Sequence, residues 1–199
     1  MLRVEGLSRL GFGPFDFEVG DGVCLAITGP SGAGKSVLLR AIADLDPNEG
    51  RVSTASIERE MVAAPDWRRN VALLPAESGW WADGVAAHFR DVAAVTPLLE
   101  KVGMDRDALG WQVARPSTGE RHRLALLRAL EQEPEVLLLD EPTTMLDTRT
   151  TAMVEDLLKA KMAQGLSIVM VTHDPDQPKR IAERVMWLED GHLSEGAGE

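Results

Sequence analysis

The stretch Gly29-Pro30-Ser31-Gly32-Ala33-Gly34-Lys35-Ser36 fits the phosphate-binding pattern G-x-x-x-x-G-K-[ST] at every position. An apolar, β-prone run at residues 23–28 precedes it, and residues 37–43 follow as a predicted helix with one apolar face. This context suits the motif, because glycine-rich loop amides and a helix N-terminus together bind anions. The eight residues are therefore predicted to bind a nucleoside triphosphate. Lys35 would reach the β- and γ-phosphates, and the Ser36 hydroxyl would ligate Mg²⁺.

The composition is that of one soluble globular domain. The chain has 199 residues, of which 44% are hydrophobic and 27% are charged, and it holds no apolar run near the roughly 20 residues of a transmembrane helix. No secretory signal is recognisable at its start, so we expect any membrane role to come through a partner chain. The net charge of −11 argues against binding to nucleic acid, and the single cysteine, Cys24, suits a reducing, cytoplasmic setting.

Strands and helices alternate along the predicted chain, which favours a largely parallel sheet flanked by helices. Strands are predicted at residues 2–4, 15–19, 51–57, 71–74, 135–140, 167–172 and 185–188, and helices at 37–43, 118–131 and 148–164. Residues 77 to about 117 differ in texture, since the stretches 85–95 and 97–102 are amphipathic and the first is rich in alanine. We therefore expect one domain, 1–199, in which a helical subdomain of about residues 77–117 is inserted into an α/β core.

Two adjacent carboxylates, Asp140 and Glu141, end the predicted strand 135–140. In proteins with a phosphate-binding loop, an aspartate at this place holds Mg²⁺, which assigns that role to Asp140. Glu141 is then placed to polarise an attacking water as a general base. A solvated acidic turn is the alternative, and the loop upstream disfavours it.

A histidine, His173, directly follows the predicted strand 167–172. Imidazole can donate a hydrogen bond near neutral pH, so His173 could reach the γ-phosphate. A strand-end histidine considered alone is more often structural. Its place after the two other motifs favours the functional interpretation.

The order of four segments resembles the ATP-binding-cassette (ABC) ATPase family over essentially the whole chain. The segments are GPSGAGKS (29–36), PSTGERHRLALLRAL (116–130), VLLLDEPTTMLD (136–147) and VTHD (171–174). The resemblance implies a P-loop NTPase (RecA-like) parallel-sheet core, an N-terminal antiparallel β subdomain and a small α-helical subdomain. It also implies a dimer, formed with an identical or a different ATPase subunit, that encloses two ATP molecules.

The resemblance further implies that Ser117 and Gly119 contact the γ-phosphate of the ATP held by the opposite subunit. Asp147 matches the family's dimer-facing loop, with helix capping as its alternative role. Three residues depart from the family's signature, which usually has Leu, Gly and Gln where this chain has Pro116, Thr118 and Glu120. Thr118 adds bulk where the backbone should approach phosphate most closely, so closure around ATP is expected to be weaker or differently shaped.

Two more family positions are altered. The family places a glutamine at the entry to the helical insert, and this chain has Ala76 there, with Glu77 one position along. Glu77 could supply an oxygen ligand to Mg²⁺, or it could be a solvated loop acid. The family's adenine-stacking aromatic is a tyrosine, which this chain lacks. Phe12 is the candidate and Phe15 its rival, and a core role is open for both.

Adjacent tryptophans, Trp80 and Trp81, follow this segment. Both rings cannot easily point inward, so one is expected to be exposed. In a transporter this segment would line the groove that receives a cytoplasmic helix of the membrane partner, where tryptophan is a favoured anchor. Packing of both rings between the lobes is the alternative.

The sequence therefore predicts an ATP-hydrolysing subunit, using ATP and Mg²⁺, that powers transport through a separate membrane permease. It would be cytoplasmic, held on the inner face of the membrane by that permease, without nucleic acid as partner. Three alternatives stay open: a soluble ABC-type ATPase, for example in iron–sulfur cluster assembly; a P-loop kinase of small molecules; and a weakly hydrolysing regulatory subunit.

Overall fold

The computed structural model describes residues 1–196, which form two sheets with helices around them. The strands are β1 (Leu2–Arg9), β2 (Phe12–Val19), β3 (Cys24–Thr28), β4 (Glu49–Thr54), β5 (Val71–Leu74), β6 (Val136–Asp140), β7 (Ser167–Val171), β8 (Arg184–Glu189) and β9 (His192–Glu195). The α-helices are α1 (Lys35–Ile42), α2 (Ala64–Asn70), α3 (Val92–Leu99), α4 (Thr118–Leu130), α5 (Thr148–Met162) and α6 (Gln177–Ile181). Short 3₁₀ turns lie at Arg59–Met61, Val85–His88, Glu100–Val102 and Ala108–Gly110.

The larger sheet has six strands in the order β5-β6-β7-β3-β8-β9. Its first five strands are parallel to their neighbours, and β9 pairs antiparallel with β8. Strands β6 and β7 are buried at every residue, which explains why they are uninterrupted apolar runs in the sequence. Because parallel strands end at the same edge, the segments that follow β3, β6 and β7 meet there.

The smaller sheet is antiparallel, with the order β2-β1-β4. It shares one hydrophobic core with α1 and one face of the six-stranded sheet, and α4, α5 and the helical insert cover the other face. Successive side chains of β3 pack into the two hydrophobic cores in turn: Cys24 and Ala26 belong to one core, and Leu25 and Ile27 belong to the other. The predicted fold class, an α/β core with an N-terminal antiparallel subdomain and a helical insert, is confirmed.

The helical insert is divided into shorter elements than its two amphipathic stretches. The stretch 85–95 comprises the turn Val85–His88 and the start of α3, because the backbone is extended at Phe89 and Asp91 caps α3 by accepting a hydrogen bond from Ala94 N at 3.0 Å. The stretch 97–102 continues α3 from Pro97 and ends in the turn Glu100–Val102. Helices α2 and α6 were not predicted. Among residues 1–196, no helix combines the length and the apolar character needed to cross a bilayer.

The unpredicted helix α2 is held by one buried side chain. Trp67 has no exposed surface, and its Nε1–H donates to the Ile42 carbonyl at 2.8 Å. Arg68 Nη1 donates to the Asp44 carbonyl at 2.8 Å. Carbonyls at the C-terminal end of a helix lack partners within it, so α2 satisfies part of the end of α1. This contact matters for function because α1 begins at Lys35, in the predicted phosphate loop.

Replacing Trp67 with Phe is expected to destabilise the protein by about 2–4 kcal/mol, since it leaves a buried carbonyl unpaired and removes ring volume from the core. Urea denaturation followed by circular dichroism measures this loss. Trp81→Phe is the matched control, because Trp81 is 71% exposed, and it should change the free energy of unfolding by less than about 0.5 kcal/mol. Equal stability of the two variants would contradict the role given to Trp67.

Candidate functional site

The predicted phosphate loop (residues 29–36) connects β3 to α1, as its sequence context required. Gly34 is the N-cap of α1 with a φ of 98°, a conformation that disfavours other residues. A Cβ at Gly34 would also lie 2.6 Å from the ring of Phe12. The aromatic ring therefore packs directly on the loop backbone, and only glycine fits beneath it.

The two phenylalanines that compete for the adenine-stacking role lie in different surroundings. Phe12 is half-buried against the loop, whereas Phe15 is 2% exposed and belongs to the hydrophobic core. Phe15 is therefore enclosed by protein on all sides. Phe12 stays the candidate for stacking on a base.

Lys35 is buried, and its ammonium is held over the loop. Its Nζ donates to the carbonyls of Gly29 at 2.7 Å and Pro30 at 2.8 Å. Burial lowers the pKa of Lys35, and the charges of Glu141 and Asp140 oppose that shift. The two carboxylates thus help to keep a buried ammonium charged beside the loop.

Asp140, the last residue of β6, lies beside Ser36 and is 8% exposed. Burial raises the pKa of Asp140; the nearby Ser36 hydroxyl opposes this shift, and the charge of Glu141 adds to it. Residues 1–196 contain no group of three or more His, Cys, Asp or Glu side chains arranged to hold a metal. A pair of hard oxygens still fits Mg²⁺, which usually takes one or two protein oxygens and completes its shell with water and phosphate.

Glu141 and His173 face each other at the ends of β6 and β7. His173 Nε2 lies 3.3 Å from Glu141 Oε1, and Thr144 Oγ1 donates to Glu141 Oε2 at 2.8 Å. Glu141 has a φ of 53°, which is uncommon for a residue with a side chain, and its N–H donates to the Val171 carbonyl at 2.9 Å. The structure therefore brings Lys35, Ser36, Asp140, Glu141 and His173 to one edge of the sheet. Sequence reasoning missed Thr144, although the Glu-Pro-Thr-Thr run is a turn signal.

Ser117 and Gly119 lie at the start of α4, next to the loop 143–147. Ser117 and Glu120 form a capping box, in which Ser117 N–H donates to Glu120 Oε2 at 2.7 Å and Glu120 N–H donates to Ser117 Oγ at 3.3 Å. A Cβ at Gly119 would lie 2.8 Å from the Met145 carbonyl oxygen. Gly119 is therefore required by a close backbone approach within this chain. Asp147 caps α5, accepting from Thr150 N at 2.9 Å, so its alternative role is realised.

A cleft of about 460 Å³ lies between the sheet edge and the helical insert. Its walls include Glu77, Trp80, Thr118, His122, Glu141 and Met145. Ala76 and Glu77 are both exposed along it. The altered entry segment and the altered start of α4 thus border the same space as Glu141.

Arg128 and His88 contact the segment of the adjacent tryptophans. Trp81 is 71% exposed and Trp80 is half-buried, so one ring is exposed as expected. The Arg128 guanidinium lies 4.9 Å from the centre of each ring. His88 Nε2 accepts from the N–H groups of Trp81 at 2.9 Å and Ala82 at 3.1 Å. These contacts hold the Trp81 ring outward on a defined backbone.

Comparisons with known proteins agree with this geometry. A family model described as ABC transporter matches residues 12–144. The chain is 38% identical to the aliphatic sulfonates import ATP-binding protein SsuB 2 of Frankia alni, over 98% of this chain and 79% of that protein. It is 34% identical to the phosphate import ATP-binding protein PstB 2 of Natronomonas pharaonis, over 87% of this chain and 70% of that protein.

Solved structures show the same fold at lower identity. An ATP-binding subunit of an ABC transporter superposes with a TM-score of 0.86 at 23% identity, over 98% of this chain and 89% of that one. A dimeric post-hydrolysis state of the ATP-binding cassette MJ0796, bound to ADP and Pi, superposes with a TM-score of 0.80 at 22% identity, over the full length of both chains.

Replacing Asp140 with Asn is expected to stabilise the nucleotide-free protein at pH 7. Because burial raises the pKa of Asp140, the folded state holds an ionised carboxylate at a cost that the unfolded chain lacks. The cost is full above the raised pKa and disappears below the ordinary value of 3.8. Thermal unfolding followed by circular dichroism should show a higher Tm for Asp140→Asn at pH 7, and the difference should shrink as the pH falls toward 4.

Asp147→Asn is the control of opposite sign. The Thr150 N–H lowers the pKa of Asp147, so its stabilising contribution is present above 3.8 and is lost as the pH falls through the lowered pKa. This variant should have a lower Tm than the parent at pH 7. An Asp140→Asn variant no more stable than the parent at pH 7 would refute the assigned electrostatic cost.

Proposed function

We propose, from the premise that this chain belongs to the ABC transporter family as one of its ATP-hydrolysing, ATP-binding subunits, that it closes with a second ATPase subunit on two ATP molecules to drive transport through a separate permease. The observation that carries the proposal is the meeting of Lys35, the Ser36–Asp140 pair, Glu141 and His173 at one edge of the sheet. Phosphoryl transfer depends mainly on positioning and on charge stabilisation, which these groups supply together.

The first step is binding of the triphosphate on the phosphate loop. Lys35 exchanges the carbonyls of Gly29 and Pro30 for β- and γ-phosphate oxygens, and the amides at the start of α1 add their partial positive charge. Phe12, whose ring already packs on the loop, stacks on the base. The Ser36 and Asp140 oxygens would hold Mg²⁺, which supplies neutralisation of phosphate charge when bound.

Hydrolysis then uses the facing pair at the ends of β6 and β7. Glu141 takes a proton from water as the water oxygen attacks the γ-phosphorus, and ADP leaves on the opposite side. The Thr144 hydroxyl fixes one carboxylate oxygen of Glu141, which leaves the other oriented toward His173. His173 donates a hydrogen bond to the γ-phosphate and so steadies the group that is transferred.

The second subunit completes the site through its residues that correspond to Ser117 and Gly119. In this chain the capping box already uses the N–H groups of Ser117 and Glu120. The N–H groups of Thr118 and Gly119 and the Ser117 hydroxyl are the donors for the opposite γ-phosphate, as suits a helix N-terminus. Glu77, in the cleft that Glu141 also lines, supplies an oxygen ligand in place of the family's glutamine.

The membrane permease binds at the groove beside the tryptophans. A groove of about 640 Å³ is lined by both Trp80 and Trp81 together with Asp83 and Gln112. An exposed tryptophan ring held by a cation is a strong anchor for a partner helix. The relatives named as import proteins favour import as the direction, with the permease selecting the cargo. The ATPase would then lie on the inner face of the membrane.

Replacing Glu141 with Gln is expected to lower steady-state ATP hydrolysis by roughly a hundredfold or more, because the amide cannot accept the proton of the attacking water. ATP binding should be nearly unchanged, since the phosphate loop is intact, and size-exclusion chromatography with ATP should show a long-lived dimer. Glu58→Gln, at an exposed residue, is the matched control and should hydrolyse ATP normally. Parent-like turnover by Glu141→Gln would remove Glu141 as the base.

Replacing Trp81 with Ala is expected to weaken the complex with the permease by about 2 kcal/mol, roughly thirtyfold in Kd, since it deletes a rigid aromatic anchor. The measurement is titration of the labelled subunit onto a detergent-solubilised permease that co-purifies with it. Met61→Ala, at a residue that is 78% exposed, should bind as the parent does. Unchanged affinity of Trp81→Ala would show that the permease binds elsewhere.

A further inference from the structure

One guanidinium, that of Arg180 on α6, bridges two carboxylates from different parts of the fold. Its Nη2 donates to Asp174 Oδ2 at 2.8 Å and to Glu155 Oε1 at 2.9 Å. Its Nε lies within hydrogen-bond distance of both Glu155 oxygens, at 3.1 and 3.0 Å. Asp174 directly follows His173, and Glu155 lies on α5. Arg180 thus connects the backbone next to His173 with the body of the protein.

The Glu155 end of this bridge is anchored in the interior. Glu155 is 3% exposed, whereas the side chain of Asp174 is 42% exposed. A buried carboxylate is costly unless it is paired, and the paired guanidinium is confined by the same requirement. Arg180 is therefore held by its buried partner and can impose a position on its exposed one.

The backbone on both sides of His173 is fixed by hydrogen bonds. Asp174 N–H donates to Thr172 Oγ1 at 3.0 Å, and Thr172 is 4% exposed. The second oxygen of Asp174 accepts from Asp176 N–H at 2.9 Å. Both oxygens of Asp174 are therefore engaged, and Arg180 supplies the contact that reaches outside this turn. The imidazole of His173 itself remains 45% exposed beside Glu141.

A second side chain of α6 reaches the loop that carries Glu141. Gln177 is completely buried, and its Nε2 donates to Thr143 Oγ1 at 2.9 Å. Thr143 lies two residues after Glu141. Helix α6 therefore contacts the segments of both groups that face the γ-phosphate in the proposed mechanism, although it belongs to neither segment.

We infer that Arg180 is a positioning residue for hydrolysis: by bridging Glu155 and Asp174, it sets the place of His173 opposite Glu141. This inference rests on the proposed function, since it assigns Arg180 an effect that passes through His173. A guanidinium is suited to the task because its planar fork binds one carboxylate with two nitrogens and keeps a donor for another. The ammonium of a lysine cannot span both carboxylates in the same way.

The first measurement compares Arg180→Lys with the parent protein. We expect kcat to fall about tenfold because His173 is displaced, while KM for ATP stays within about twofold because the phosphate loop and Phe12 are untouched. Lys179→Ala is the matched control on the same helix, since Lys179 is 74% exposed and, within residues 1–196, forms its ion pair with Asp176 alone; it should leave both constants unchanged. Equal kcat for Arg180→Lys and the parent would overturn the inference.

The decisive measurement is a double-mutant cycle with His173→Ala, read as single-turnover hydrolysis of γ-labelled ATP, which remains measurable at low rates. If Arg180 acts through His173, Arg180→Lys should slow hydrolysis by less than about twofold once His173 is absent. A tenfold loss in both backgrounds would overturn the inference while leaving the proposed function intact. Parent-like hydrolysis by His173→Ala alone would instead refute the role of His173, and the inference with it.

A second variant distinguishes an effect on the position of His173 from a general loss of folding. Glu155→Gln retains a neutral acceptor for Arg180 but removes the buried charge that anchors it, so we expect a smaller decrease in kcat, roughly threefold, again absent in the His173→Ala background. Circular dichroism of each variant reports the folded fraction. A decrease in rate that follows only the folded fraction would overturn the positioning role.

Discussion

Parallel pairing of β6, β7 and β3 is the constraint on which the site depends. In the sheet, Val171 is the register partner of both Ile27 and Asp140. These three residues lie in one row, so the chain leaves the three strands at the same height. The phosphate loop, Glu141 and His173 therefore meet without any long side chain having to reach across the sheet. A shift of register in any one strand would separate them, and the burial of β6 and β7 on both faces makes such a shift costly.

Two buried groups of opposite charge, Lys35 and Asp140, dominate the electrostatics at this edge. Burial disfavours the charged forms of Lys35 and Asp140, since it lowers the pKa of the first and raises that of the second. The charged form of Lys35 is stabilised by Glu141 and Asp140, and that of Asp140 by Ser36 and Lys35. A divalent cation and a polyphosphate would replace these internal contacts with stronger ones, because they bring opposite charges into a region of low dielectric. The free energy of ligand binding would thus offset the electrostatic cost of burying these two charged groups.

The sequence predicts those parts of the fold whose residue pattern is compatible with only one local structure. The loop with its flanking strand and helix, and the apolar runs of β6 and β7, belong to this class. Helices α2 and α6 were not predicted, because their seven and five residues are too few to show a helical period of hydrophobic residues. The break within the stretch 85–95 was not predicted, because composition does not reveal that Phe89 becomes extended and that Asp91 begins a new helix. Phe12 and Phe15 could not be separated either, since only tertiary packing decides that the second lies in the core.

Two neighbouring residues at the start of α4, Gly119 and Thr118, are subject to different structural constraints. Gly119 matches the family pattern, but its own chain already demands glycine, because a Cβ there would meet the Met145 carbonyl oxygen at 2.8 Å. Its presence is therefore explained without any nucleotide. Thr118, one of the three departures from the pattern, is exposed on the surface of this chain. Under the proposed function, Thr118 rather than Gly119 is therefore the residue whose side chain would limit how closely two subunits approach across ATP.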